Sequence, residues 1–139
     1  MELRDNGMCF ACGRHNPIGL KLNFEWQGER YVTRFLPKPE HQGYAGIVHG
    51  GILSTLLDEA MARLAYVKGY DAVTAEMALS FRKPVYVGEQ LTISGWINSK
   101  RGRILLCSAE ARNEQNELVA TAKGKLFVVG EADAERRNL

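Results

Sequence analysis

An α+β domain, in which a mostly antiparallel sheet wraps one long central helix, is the fold class this sequence predicts. Three observations carry it. A single stretch of helical period, residues 52–68, gathers Leu53, Leu56, Leu57, Ala60, Leu64 and Val67 on one side. Two strand-like segments precede that stretch and four follow it. With 139 residues, 45% of them hydrophobic, the chain has material for one core and not for two domains.

Each element follows from its local pattern. Residues 1–19, through Cys9, Cys12, Gly13, Asn16, Pro17 and Gly19, are turn-rich and read as an irregular lead-in. Residues 20–26 alternate, with Leu20, Leu22, Phe24 and Trp26 on one face, and residues 31–36 continue after the Gln27-Gly28 turn, which predicts a β-hairpin. Pro37 and Pro39 end it, and residues 40–51 form a Gly-rich loop. The helix then runs to Lys68, with Gly69 where a C-cap glycine belongs. Residues 72–82, 90–98, 103–112 and 118–129 are predicted strands, with hairpin tips at 99–102 and 113–116. The charged residues 131–139 are predicted to fray. This is the arrangement called a hotdog fold, one domain over 1–139. A ferredoxin-like domain would need a second helix, which the sequence lacks. An open sheet with one helix leaves an edge unpaired, which predicts a homodimer by sheet extension, with a tetrameric dimer of dimers as a further step.

Charge and cysteine usage narrow the setting. Lys plus Arg number 18 against 16 Asp plus Glu, and this net +2 argues against nucleic acid as the partner. The first seven residues show no secretory pattern, and no apolar run is long enough to span a bilayer. Three cysteines, Cys9, Cys12 and Cys107, do not make a secreted disulfide framework, so a cytoplasmic protein without membrane partners is expected.

The densest feature is the run from Gly43 through His49, Gly50 and Gly51 directly into the helix. Such an entry leaves backbone N–H groups unpaired at the positive end of the helix dipole, suited to an anion or a polarised carbonyl. No Lys-Ser or Lys-Thr pair follows the glycines, which argues against a phosphate loop. No Gly-x-Ser-x-Gly elbow exists, which disfavours a serine hydrolase. The second feature is the acidic pair Asp58 and Glu59 inside the apolar helix. Asp58 lies about 12 Å from Gly50 along the axis at 1.5 Å per residue, too far to meet a carbonyl held at its own helix start. Two such helices packed antiparallel would bring each carboxylate to the partner's Gly-rich end.

The stretch from His49 to Ala60, HGGILSTLLDEA, is similar to the signature of hotdog acyl-CoA thioesterases of the PaaI-like group. The lead-in CFACGRHNPIGL, the Gln42-Gly43-Tyr44 approach, residues 73–81 followed by Arg82-Lys83-Pro84, and Lys100-Arg101-Gly102-Arg103 resemble family segments in family order. The resemblance implies hydrolysis of an acyl thioester to free acid and coenzyme A. Asp58 would be the base or nucleophile supplied by the partner protomer, and the Gly50 and Gly51 amides would bind the carbonyl oxygen. It also implies that Thr74 helps hold the attacking water, that His49 fixes the loop, and that Glu59 ranks second to Asp58. Coenzyme A is then part of the substrate, and no metal or redox cofactor is expected.

One departure stands out. Many relatives carry Asn or Gln six residues before the His, where this chain has Gly43; the adjacent Gln42 is the candidate substitute. Two basic clusters, Arg82-Lys83 and Lys100, Arg101 and Arg103, sit at strand ends where coenzyme A phosphates would dock. Cys9-x-x-Cys12, with His15 three residues on, has the spacing of half a zinc site, but the local sequence supplies no complete ligand set. Two other functions remain open: a hydratase or dehydratase of acyl thioesters using His49 as base, and a non-catalytic acyl-CoA binding module, for which Gly43 is the sequence hint.

Overall fold

The computed structural model describes residues 1–132; the predicted tail at 131–139 lies outside these residues from 133 onward. Six strands and one long helix appear in the order β1 (Phe24–Gln27), β2 (Arg30–Phe35), α1 (Gly50–Val67), β3 (Tyr70–Phe81), β4 (Leu91–Arg101), β5 (Ile104–Arg112) and β6 (Leu118–Glu131). A single 3₁₀ turn, Pro39–His41, follows the first hairpin. The strands form one antiparallel sheet in the order β1-β2-β4-β5-β6-β3, with α1 packed against β2 to β6, which is the hotdog arrangement.

The helix buries the stripe that its period predicts, and Met61 and Ala65 join it. Leu56, Leu57, Met61 and Leu64 are essentially inaccessible, each removing an apolar side chain from water for roughly 1.5–3 kcal/mol. Leu56, Leu57 and Met61 share one core cluster with Leu91 and Ile93 of β4, Leu105 of β5 and Leu126 of β6, while Leu64 packs with Tyr31 and Val67 in a second. Close approach of helix to sheet depends on Gly95 in β4, where a Cβ would lie 2.5 Å from the Ala60 carbonyl oxygen. Gly95→Ala therefore forces α1 outward. We expect a loss of about 1–3 kcal/mol, read as a lower midpoint of denaturant unfolding with unchanged m-value.

The helix begins at Gly50, two residues before its hydrophobic period starts, because His49 caps it: its Nδ1 accepts the Gly51 N–H at 2.8 Å. It ends as expected, with Lys68 as C-cap and Gly69 at φ 96°. The predicted strand at 20–26 starts only at Phe24. Lys21 adopts φ 54°, and the Leu20 and Leu22 amides donate instead to Phe10 and Ala11 carbonyls, so the alternation is buried against the lead-in rather than the sheet. At the β4–β5 tip, strand pairing continues to Arg101 and Ile104, so the turn is only Gly102 and Arg103, with Gly102 at φ 59°.

β3 carries a bulge between Thr74 and Glu76. The extra residue, Ala75, reverses the side-chain parity: Ala72 and Thr74 face the helix before it, Met77 and Leu79 pack on the core after it. β3 is also an outer strand of the sheet.

Candidate active site

The helix entry is a tight, self-bonded loop. Gly43 N–H donates to Ile47 O at 2.8 Å, Gly46 N–H to Gln42 Oε1 at 2.9 Å, and His49 N–H to His41 O at 2.9 Å. The His49 ring holds this loop to the helix through Gly51. With Nδ1 accepting, the ring proton sits on Nε2, and the nitrogen that caps the helix is not available as a base. This bond has a second consequence. The Gly51 amide expected to share a carbonyl oxygen is already engaged, so the helix start offers the Gly50 N–H, which donates to no partner among the described residues. The Gln42 side-chain carbonyl is likewise committed inside the loop, leaving only its Nε2 to replace the amide missing at Gly43.

Gly50 opens into a cavity of about 270 Å³ that Phe81, Arg82, Lys83 and Val85 also line. The Phe81 ring comes within 3.8 Å of where a Gly50 Cβ would sit. The structure thus brings Gly50 and the first basic cluster together. Lys83 is ion-paired with Glu117, so Arg82 is the less encumbered cation there.

Asp58 sits two turns down the helix, half-buried, with Oδ1 accepting the Thr74 hydroxyl proton at 2.7 Å. The bulge at Ala75 adjoins this contact and the Thr74 hydroxyl reaches the helix. Oδ2 has no hydrogen-bond partner among the described residues. Asp58 and Thr74 therefore form one preorganised unit, and Gly50 with Arg82 forms another, both built on α1 and β3 but separated along the helix by about 12 Å.

Glu59 does not share this unit. It points about a third of a turn around the helix from Asp58, where Cys9 Sγ lies 3.7 and 3.8 Å from its two oxygens and Cys12 also contacts it. Burial raises the Glu59 carboxyl above the usual range, and burial followed by the Glu59 charge raises the Cys12 thiol. The expected stand-in for Asp58 is thus committed to the lead-in. Farther along, Arg63 pairs with Asp5 at 2.8 Å. The Gly7 N–H first, and then Arg63, hold the Asp5 carboxyl below its ordinary value, tying residues 5–15 to α1.

The second basic cluster lies at the other end of β3. Lys100 donates to Gly102 O at 2.9 Å and its Nζ stands 6.0 Å from the Tyr70 ring, while Arg101 and Arg103 are exposed around the tip. Within one chain it is a full strand length from Arg82.

A profile of the thioesterase superfamily matches residues 45–120, more than half of the chain. The chain belongs to the thioesterase superfamily. The matched segment contains His49, Gly50, Asp58, Thr74 and Arg82. Among superfamily relatives, acyl-coenzyme A thioesterase THEM4 of Xenopus laevis is 25% identical over 99 residues, covering 71% of this chain and 45% of that protein. The fold is shared with smu.793 of Streptococcus mutans UA159, solved bound to acetyl-CoA, at TM-score 0.75 and 23% identity over 86% of this chain and 99% of that one. It is equally shared with the E. coli PaaI protein of the phenylacetic acid degradation operon, at TM-score 0.74 and 23% identity over 81% and 83% of the two chains. The chain spans about half the length of the curated relatives it matches first. No helix among the described residues is long and apolar enough to cross a membrane.

Proposed function

We propose that this chain is an acyl-CoA thioesterase that hydrolyses an acyl thioester to the free acid and coenzyme A, working as a homodimer. The observation that carries the proposal is the carboxylate of Asp58, held by Thr74 at 2.7 Å on one oxygen and unbonded on the other. A carboxylate so oriented either takes a proton from water or attacks the thioester carbon itself. The Gly50 N–H, at the positive end of α1, stabilises the oxyanion that develops on the carbonyl oxygen. Membership of the thioesterase superfamily, the thioesterase name of the Xenopus relative and the acetyl-CoA bound by the Streptococcus structure support the substrate class.

The dimer joins the two separated units. β3 is a long outer strand that exposes Val73 (43%) and Phe81 (52%), an edge open to pairing. Antiparallel pairing of two β3 strands sets the two helices antiparallel, so the Asp58 and Thr74 of one protomer serve the Gly50 of its partner. It also brings Arg82 of one protomer to the Lys100, Arg101 and Arg103 end of the other, where both clusters flank the coenzyme A phosphates. The chemistry needs no metal or redox cofactor. A cytoplasmic location fits three cysteines that are all unpaired.

A thiol-release screen over short, medium, long and aromatic acyl-CoAs tests the proposal. Turnover with at least one of them supports it. Addition or loss of water without thiol release would instead favour a hydratase, and saturable acyl-CoA binding without turnover a binding module. Gly43 bears on the last outcome. A Cβ there would stand 3.4 Å from His49 Cδ2 without clash, so an amide side chain fits beside the helix start. Gly43→Asn adds a second donor near Gly50, and we expect it to raise kcat several-fold with little change in Tm; an unchanged kcat would show that the loop does not need that amide.

A further inference from the structure

We propose that Cys9, Cys12 and Glu59 form a zinc site that clamps the N-terminal lead-in to the middle of α1, with a solvent molecule as the fourth ligand. The sequence offered two ligands and no complement. Folding supplies the third from a residue fifty positions away: one donor atom from each of Cys9, Cys12 and Glu59 lies within 4.8 Å of the others. Cys9 Sγ is 3.7 Å from Glu59 Oε2. Tetrahedral zinc, with Zn–S near 2.3 Å and Zn–O near 2.1 Å, spaces sulfur and oxygen donors roughly 3.5 Å apart, so only small adjustments separate this cluster from a coordination sphere.

The loop that presents the thiols is built to a fixed shape. Gly13 N–H donates to Cys9 O at 2.8 Å, and a Cβ on Gly13 would lie 2.5 Å from both Cys9 N and Gly7 O, so no other residue fits the turn. His15, the local residue at ligand spacing, packs beside Gly7 and is outside the cluster. The three groups gather potential negative charge, and the neighbouring cation, Arg63 one turn farther along α1, offsets only part of it because its guanidinium is hydrogen-bonded to Asp5 at 2.8 Å. Two thiolates and one carboxylate select a borderline-soft divalent ion over calcium or magnesium. A cavity of about 390 Å³, lined by Cys9, Cys12, Glu59, Leu3 and Met8, leads to the cluster and gives the ion an entry path and the fourth position. Binding displaces the two thiol protons to solvent and changes no oxidation state.

The proposal is tested on the full chain, reduced with a phosphine, stripped with a chelator and titrated with Co²⁺ and then Zn²⁺. The expected result is one Co²⁺ per chain with sulfur-to-cobalt charge-transfer absorption and the intense d–d bands of a four-coordinate ion, displaced by Zn²⁺. Zinc should also raise Tm by several degrees. Cys12→Ser should weaken binding at least ~100-fold, and Glu59→Gln at least ~10-fold. Absence of charge-transfer bands in the reduced wild type, or equal Co²⁺ affinity in Glu59→Gln, would overturn it. The wild-type spectrum decides even where Cys12→Ser fails to fold.

Discussion

Asp58→Asn lowers kcat for acyl-CoA hydrolysis by at least ~10²-fold, the loss expected when a general base or nucleophile is removed, while Tm stays close to wild type. The substitution is nearly isosteric. The Asn oxygen still accepts the Thr74 hydroxyl that Asp58 Oδ1 accepts at 2.7 Å, so the β3–α1 contact survives. What is lost is the second carboxylate oxygen and the charge, and a neutral amide neither takes a proton from water nor attacks a thioester. The position is half-buried rather than enclosed, so no new cavity forms. Thiol release measured for both proteins over the same acyl-CoA panel, beside thermal melts, checks this. Near-normal hydrolysis by the variant on every substrate would remove Asp58 from the mechanism.

Gly50→Pro is the second large effect, and backbone geometry makes it a clean one. Gly50 is the first residue of α1, a position where proline is favoured because its amide has no partner within the helix. The preceding His49 has φ −62° and ψ 136°, the extended conformation that a residue before proline adopts. A Cβ at Gly50 meets only the Phe81 ring, at an ordinary 3.8 Å. Proline therefore deletes one N–H and little else. If that N–H binds the oxyanion, kcat falls by about 10²–10³, as when one such donor is lost elsewhere. Gly50→Ala, which keeps the N–H, retains most of the activity. A folded Gly50→Pro protein with wild-type kcat would place the oxyanion donor somewhere else.

The central helix was legible in the sequence because Leu53, Leu56, Leu57, Ala60 and Leu64 repeat at three- and four-residue spacing. Its first turn was not, because the start depends on the His49 cap rather than on hydrophobic period. On β3, a simple alternation carried past Thr74 would turn Glu76 and Ala78 toward the helix. The bulge at Ala75 prevents this, and a one-residue bulge leaves no trace in composition. Asp58 was singled out by its spacing from His49, yet its bond to Thr74 became visible only with the fold. Glu59 shows the limit most clearly. It is adjacent to Asp58 in sequence but, a third of a helical turn away, it faces Cys9 and Cys12, and pairing across fifty residues depends on how the lead-in folds back. Lys83 was marked as a phosphate contact by its basic neighbours, whereas its ion pair with Glu117 comes from the β5–β6 connection lying beside it.

The central claim is that each catalytic unit is shared between two chains, and mixing the two inactive variants measures it directly. Asp58→Asn and Gly50→Pro protomers are co-expressed with different tags, and the doubly tagged dimer is isolated. In that heterodimer a shared site keeps one intact combination, the Asp58 of the Gly50→Pro chain with the Gly50 of the Asp58→Asn chain. It should regain about half of the wild-type kcat per dimer, one working site of two, while each parent homodimer stays at least ~10²-fold down. A heterodimer no more active than its parents would place Asp58 and Gly50 in the same chain's site and contradict the account.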